Sequence, residues 1–260
     1  MLRVLALGAG VQSSTVALMM AHGELESVDC AIFADTGWEP RKVYEWLDYL
    51  EPKLPFPVHR VTGRKLWDPT RPVGGKGYGW TTTPMYTSDG GMLKRQCTSN
   101  WKIEPSIRKI RELLGVKPGR SVPRGVVAEE VFGISLDEAQ RMRDSRYPWL
   151  THQYPLVWEK RMTRQGCLAW MAEGGYPQPP RSACVFCPFK RDREWKALEP
   201  DEWAKAVEYE RLKLEGTSPK HQLSYLHAQR VPLPEVDLSG AEGRGLQSLW
   251  NDECEGMCGV

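Results

Sequence analysis

The sequence predicts an α/β protein, a doubly wound parallel sheet with helices on both faces and a cysteine-containing C-terminal extension. Three observations predict it. A short apolar run, Arg3 to Leu7, ends in Gly8-Ala9-Gly10 and leads into the helical pattern of Val16, Ala17, Leu18 and Met20. A second run, Cys30 to Ala34, stops at Asp35-Thr36-Gly37 and leads into Val43, Trp46, Leu47 and Leu50 at helical spacing. Pro57 to Val61 reads as a third strand, and this strand–helix rhythm argues for parallel pairing.

Further along, Leu66 to Gln96 is Gly-rich and aperiodic, the pattern of a lid or long loop. Asn100 to Leu114 is predicted helical, Gly125 to Ile134 a buried strand, and Leu136 to Arg146 a turn with a short helix. Thr163 to Glu173 is predicted helical, Pro177 to Pro188 a Pro/Cys-rich loop, and Asp201 to Leu214 a solvated helix. Gly216 to Pro219 has linker composition, and weak helix signals surround Tyr225. The expected division is a nucleotide-binding α/β core over 1–158 and a helical and loop region over 159–260 that carries a Cys-x-x-Cys and a cysteine tail.

The 260 residues carry 35 basic and 33 acidic side chains, a net charge of +2, which gives no global argument for a polyanionic or membrane partner. The first residues read straight into a strand, leaving no room for a signal peptide, and no apolar run nears the roughly 20 residues of a membrane span. A cytoplasmic protein without a membrane partner is expected. There, seven cysteines point to metal or redox chemistry more than to disulfides.

Gly8, Ala9, Gly10, Gln12, Ser13, Ser14 and Thr15 lie between a strand and a helix. Glycines there admit an anion, free N–H groups face it, and the hydroxyls add donors. A tight turn with a serine cap is the plainer alternative. The turn is not a Walker A loop, because no Gly-Lys-Ser/Thr closes it. Asp35 and Thr36, just past the second strand, sit where open α/β sheets bind ligands, although an aspartate there also serves as a turn residue. Cys184 and Cys187, followed by Pro188, have chelating spacing, and Cys97 precedes them. An iron–sulfur cluster, a structural zinc and plain thiols all remain open. Cys30 and Cys167 read as core. Between Lys94 and Arg124, nine basic residues stand against Glu104 and Glu112, a patch suited to phosphates of a nucleotide, RNA or DNA, or else a solvated helix face.

Gly8-Ala9-Gly10-Val11-Gln12-Ser13 resembles the PP-loop, Ser-Gly-Gly-x-Asp-Ser, of the adenine-nucleotide α-hydrolase/ATP-pyrophosphatase superfamily, with Ala9 and Gln12 as departures. The missing aspartate leans toward its phosphoadenylyl-sulfate (PAPS) reductase branch. Phe33 to Gly37, Cys97 followed by Lys102-Ile103-Glu104-Pro105, and Gly133 to Arg141 resemble further elements of that family in order, with Ser135 and Ala139 departing. Phage-borne and CRISPR-linked PAPS-reductase-like proteins are similar as well. The resemblance implies an adenine nucleotide, ATP or adenylyl sulfate, held at Gly8 to Thr15 with Asp35 nearby, Lys102 and Arg141 offsetting charge, and magnesium as a companion ion. It implies a [4Fe–4S] cluster on Cys97, Cys184 and Cys187, with zinc as the alternative.

Glu253-Cys254-Glu255-Gly256-Met257-Cys258 resembles the Glu-Cys-Gly tail of PAPS reductases, which implies Cys254 or Cys258 as nucleophile or sulfur carrier, with a thiol donor protein as partner. A disordered tail is the alternative. Two reactions fit the resemblance: reduction of an adenylylated sulfate, and ATP-dependent thiolation of a nucleobase. A zinc-stabilised nucleic-acid-binding module without catalysis is the reading from another class.

Overall fold

A computed structural model describes residues 1–63, 83–215 and 223–239. Five parallel strands form the main sheet: β1 (Leu2–Ala6), β2 (Cys30–Asp35), β3 (Val58–Thr62), β5 (Ala128–Phe132) and β6 (Leu150–Gln153), in the order β3-β2-β1-β5-β6. Successive strand residues point to opposite faces, so each face gathers its own core. On one face Leu5, Ala31, Phe33 and Val131 pack with α1 (Val11–Ala21), α2 (Arg41–Leu50) and α5 (Arg164–Glu173). On the other, Val4, Cys30, Ile32, Ala128 and Leu150 meet Ile107 and Ile110 of α3 (Glu104–Leu113). This is the doubly wound arrangement the sequence predicts.

α1 is buried along nearly its whole length, from Val11 to Met20. The sequence reading found only one apolar side of it. In fact the helix is enclosed by the sheet, α2 and α5, so its polar first turn must find partners inside the protein.

The chain runs outward from β1 through β2 to β3, then returns to place β5 on the other side of β1. Connections therefore leave β1 and β5 in opposite directions, which opens a crevice at their carboxyl ends. Gly133, just past β5, closes one wall. A Cβ there would lie 2.5 Å from the Ser13 nitrogen and 2.6 Å from its Cα, so only glycine admits this approach.

A second core gathers Met85, Trp101, Val185, Phe186, Trp195, Ala206 and Tyr209. It is built on α6 (Asp192–Lys196), α7 (Pro200–Glu215) and the antiparallel pair β4 (Tyr86–Thr87) and β7 (Ser224–Tyr225). The two cores do not divide at residue 158. Cys167 and Met171 of α5 belong to the first, and Met85 and Trp101 to the second. α7 is not a wholly solvated helix: Tyr209 stacks on Phe186 at 4.1 Å, and Glu210 is buried, accepting from Leu226 N–H (2.7 Å) and Leu233 N–H (2.6 Å). Tyr225 lies in a strand, not a helix, because its neighbour Tyr86 offers an edge to pair with. The part of the Gly-rich loop over 64–82 and the linker at 216–219 fall outside the described residues. No helix among the described residues is long and apolar enough to cross a membrane.

Candidate functional site

The turn after β1 carries a left-handed residue, Ala9 (φ +58°), fully buried. This is a conformation that favours glycine, and it falls where the resembled loop has one. Gly10 precedes α1 without a side-chain cap. Ser13 Oγ accepts from Gly8 N–H at 3.2 Å. Ser14 Oγ accepts from Trp46 Nε1–H at 2.8 Å, and Thr15 Oγ1 donates to the Val11 carbonyl at 2.8 Å. Gln12 Nε2–H donates to Ser135 Oγ at 3.1 Å. The hydroxyls that the sequence aims at an anion thus have internal partners, as a buried helix requires.

Asp35 Oδ1 accepts from Gly37 N–H (2.7 Å) and from the Tyr44 hydroxyl (2.8 Å), the work of a turn aspartate. Burial, then the hydrogen bond to Asp35, pushes the Tyr44 hydroxyl far up. Thr36 makes a more consequential cluster. Its Oγ1 donates to Glu39 Oε1 at 3.2 Å and lies 3.3 Å from Cys184 Sγ. Lys102 Nζ stands 3.6 Å from Glu39 Oε1, and both side chains are buried. Glu39 Oε2 has no hydrogen-bond partner among the described residues. Burial first, then the Glu39 carboxylate, holds the Cys184 thiol well above its ordinary range. Val185 N–H donates to the Trp38 carbonyl at 2.8 Å, tying the cysteine loop to the end of β2. Glu39 was missed in the sequence. Its place four residues past Asp35, before a proline, gave no periodic signal.

A cleft opens at the carboxyl ends of β1 and β2. Leu7, Phe33, Ile103 and Phe132 supply apolar walls, while Gly8 and Lys102 bring two of the sequence-predicted residues to it. Glu130, His152, Arg143, Asp144 and Arg146 bring further polar groups. Glu130 and His152 were also missed. Two adjacent glutamates inside an otherwise buried strand were the signal for the first. Arg141 does not reach the cleft as an anion clamp: it pairs with the fully buried Glu138 one turn earlier, a carboxylate that needs a cation. Arg143 and Arg146 are the arginines that line the cleft.

Cys97 and Cys184 pack against the second core, and Cys187 N–H donates to the Cys184 carbonyl at 2.9 Å. Arg95 lies over the Phe189 ring at 5.0 Å, so the segments before Cys97 and after Cys187 adjoin. The three expected metal ligands therefore share a neighbourhood. They do not make a cage: among the described residues, no three His, Cys, Asp or Glu side chains are set to hold a metal ion. The donors are of the right kind for a cluster or zinc. Cys30 and Cys167 are buried, as expected of core thiols, and burial pushes Cys30 up to about 11. Cys254 and Cys258 lie outside the described residues.

No protein-family model matches the chain, and no curated protein does. Among solved structures it is similar to phosphoadenylyl-sulfate (PAPS) reductase from Candida auris in a phosphate complex. The identity is 16% and the TM-score 0.39, over 68% of this chain and 74% of that one. Values that low carry no residue roles across.

Proposed function

We propose that the chain is an adenine-nucleotide-binding enzyme of sulfur chemistry, similar to PAPS reductases. One observation carries this reading. The cleft at the strand ends holds Gly8 and Lys102, both from the motifs that resemble the family, and Lys102 leads directly to the Thr36–Glu39–Cys184 cluster. The apolar walls suit a base, and the Gly8 turn and Lys102 suit phosphates.

In this reading the protein works by position and charge. Lys102 stands between the Glu39 carboxylate and the cleft, offsetting charge that develops on a departing phosphate. A thiolate of the tail, Cys254 or Cys258, attacks the sulfur of an adenylylated sulfate. The S–S bond forms as the bond from sulfur to the phosphate oxygen breaks, and the nucleotide leaves with that electron pair. A dithiol donor protein then displaces sulfite and is oxidised to the disulfide. Cys184 is not the nucleophile, since its thiol holds its proton at neutral pH.

The test is sulfite release from adenylyl sulfate or PAPS with a dithiol reductant, alongside calorimetric titration with ATP. Sulfite formation lost in Cys254→Ser or Cys258→Ser supports the reading. Absence of binding by any adenine nucleotide refutes it.

A further inference from the structure

Glu130 plays no part in the chemistry above, yet it occupies the floor of the cleft. It lies on β5 two residues before Phe132, is 5% exposed, and lines the same space as Gly8 and Lys102. Among the described residues, no lysine or arginine is paired with it. His152 Nε2 stands 3.9 Å from Glu130 Oε2, but its Nδ1 lies 2.9 Å from the Arg143 carbonyl. That carbonyl only accepts, so Nδ1 carries the proton and Nε2 offers a lone pair. Burial lowers the His152 pKa and keeps the ring neutral.

Two of the cations nearby are engaged elsewhere. Lys102 pairs with Glu39, and the Arg143 guanidinium donates to the Gln140 and Met142 carbonyls. Arg146 and Asp144, of opposite charge, line the cleft from the same segment as Arg143. Tyr154 stands next to His152, its hydroxyl donating to the Arg143 carbonyl. The residues that β1, β2 and α3 present to the cleft, Ala6, Ile32, Ser106 and Ile107 among them, carry no charge. Burial alone raises the Glu130 carboxyl to about 7.

We propose that Glu130 is a ligand-binding residue that reads the edge of a purine base at the cleft floor. The proposal rests on the nucleotide reading. Phosphates go to the Gly8 turn and Lys102, so the uncharged end of the ligand lies between the apolar walls, within reach of Glu130. Adenine presents a ring acceptor, N1, beside a donor, the N6 amine. A carboxyl that keeps its proton matches both, donating to N1 and accepting from N6. Once ionised it loses the donor and sets its lone pairs against those of N1. 1-Deazaadenine keeps the N6 amine but carries C–H in place of N1, so it asks for no donor and pairs with the carboxyl in either state.

The experiment is calorimetric titration of the whole chain with ATP and with 1-deaza-ATP between pH 6 and pH 8. The ratio of the two affinities is read, because the shared triphosphate titrates alike in both. With a carboxyl that titrates near 7 and must hold its proton to pair with N1, the ratio of ATP to 1-deaza-ATP affinity is expected to fall about tenfold over that range. Glu130→Gln, whose amide both donates and accepts, is expected to keep ATP binding and abolish the pH dependence of the ratio. A ratio constant with pH, or one that falls equally in Glu130→Gln, overturns the assignment and leaves the nucleotide reading standing. Failure of both nucleotides and of PAPS to bind at any pH overturns both.

Discussion

Gly133→Ala tests whether the joint between β5 and α1 is as tight as its geometry states. The new Cβ would meet Ser13 N at 2.5 Å, Ser13 Cα at 2.6 Å and Gln12 C at 2.8 Å. Ordinary contacts of this kind begin near ~3.5 Å, so the wall must retreat by roughly 1 Å. All three atoms are backbone, in the first turn of a helix buried on every side, and no rotamer change relieves them. Overpacking of a core costs about 1–3 kcal/mol, and the absence of any side chain to yield places this case at about 3. For a chain of this size that corresponds to a fall in melting temperature of roughly 6–12 °C. Urea denaturation followed by the fluorescence of the eleven tryptophans measures the loss. Gly166→Ala is the control. Its Cβ would meet the unbranched Met162 side chain at 2.9 Å, which can turn aside, so the cost is expected to be under about 1 kcal/mol. If Gly133→Ala is no more costly than Gly166→Ala, the first turn of α1 is not wedged against β5.

Glu130→Gln is expected to stabilise the fold by about 3 kcal/mol at pH 8 and to change nothing at pH 4. The folded carboxyl keeps its proton to about 7 against an ordinary 4.5, so wild-type stability is lost as pH rises between those values. Denaturant melts at the two pH values check it. Lys102→Met, which strands the buried Glu39 carboxylate, is expected to cost about 3 kcal/mol, and adding Glu39→Gln to recover more than half; a double mutant as weak as the single one refutes the pairing. Arg141→Ala is expected to destabilise by about 3 kcal/mol, because the buried Glu138 carboxylate loses its paired cation, and thermal melts check it.

The sheet was legible because each of its strands β1, β2, β3 and β5 is a short apolar or β-branched run next to a glycine or an aspartate. β6 was not, since Leu-Thr-His-Gln carries a single apolar residue and is a strand only because β5 offers it an edge. The phosphate-type turn was visible as glycines between a strand and a helix. That its hydroxyls would turn inward was not, because the enclosure of α1 depends on α5, far along the chain. Lys102 could be found from its motif, but its partner Glu39 becomes meaningful only when β2 and the helical turn over Ser99–Ile103 come together. Arg141 shows the limit of a motif: the same spacing that proposed an anion clamp also set a glutamate three residues before it, and the nearer charge prevailed.

Lys102 has one side toward the cleft and the other toward Glu39, whose carboxylate in turn bears on Cys184. Two sites that share a charge in this way cannot be set independently. An anion that draws on the Lys102 ammonium leaves Glu39 less compensated and makes the Cys184 proton harder to remove. Linkage makes the influence mutual, so a metal bound reversibly at Cys184 and an anion in the cleft must change each other's affinity by the same factor. The ligand cleft and the thiol loop thus form one thermodynamic unit, although the chain builds them from two separate cores.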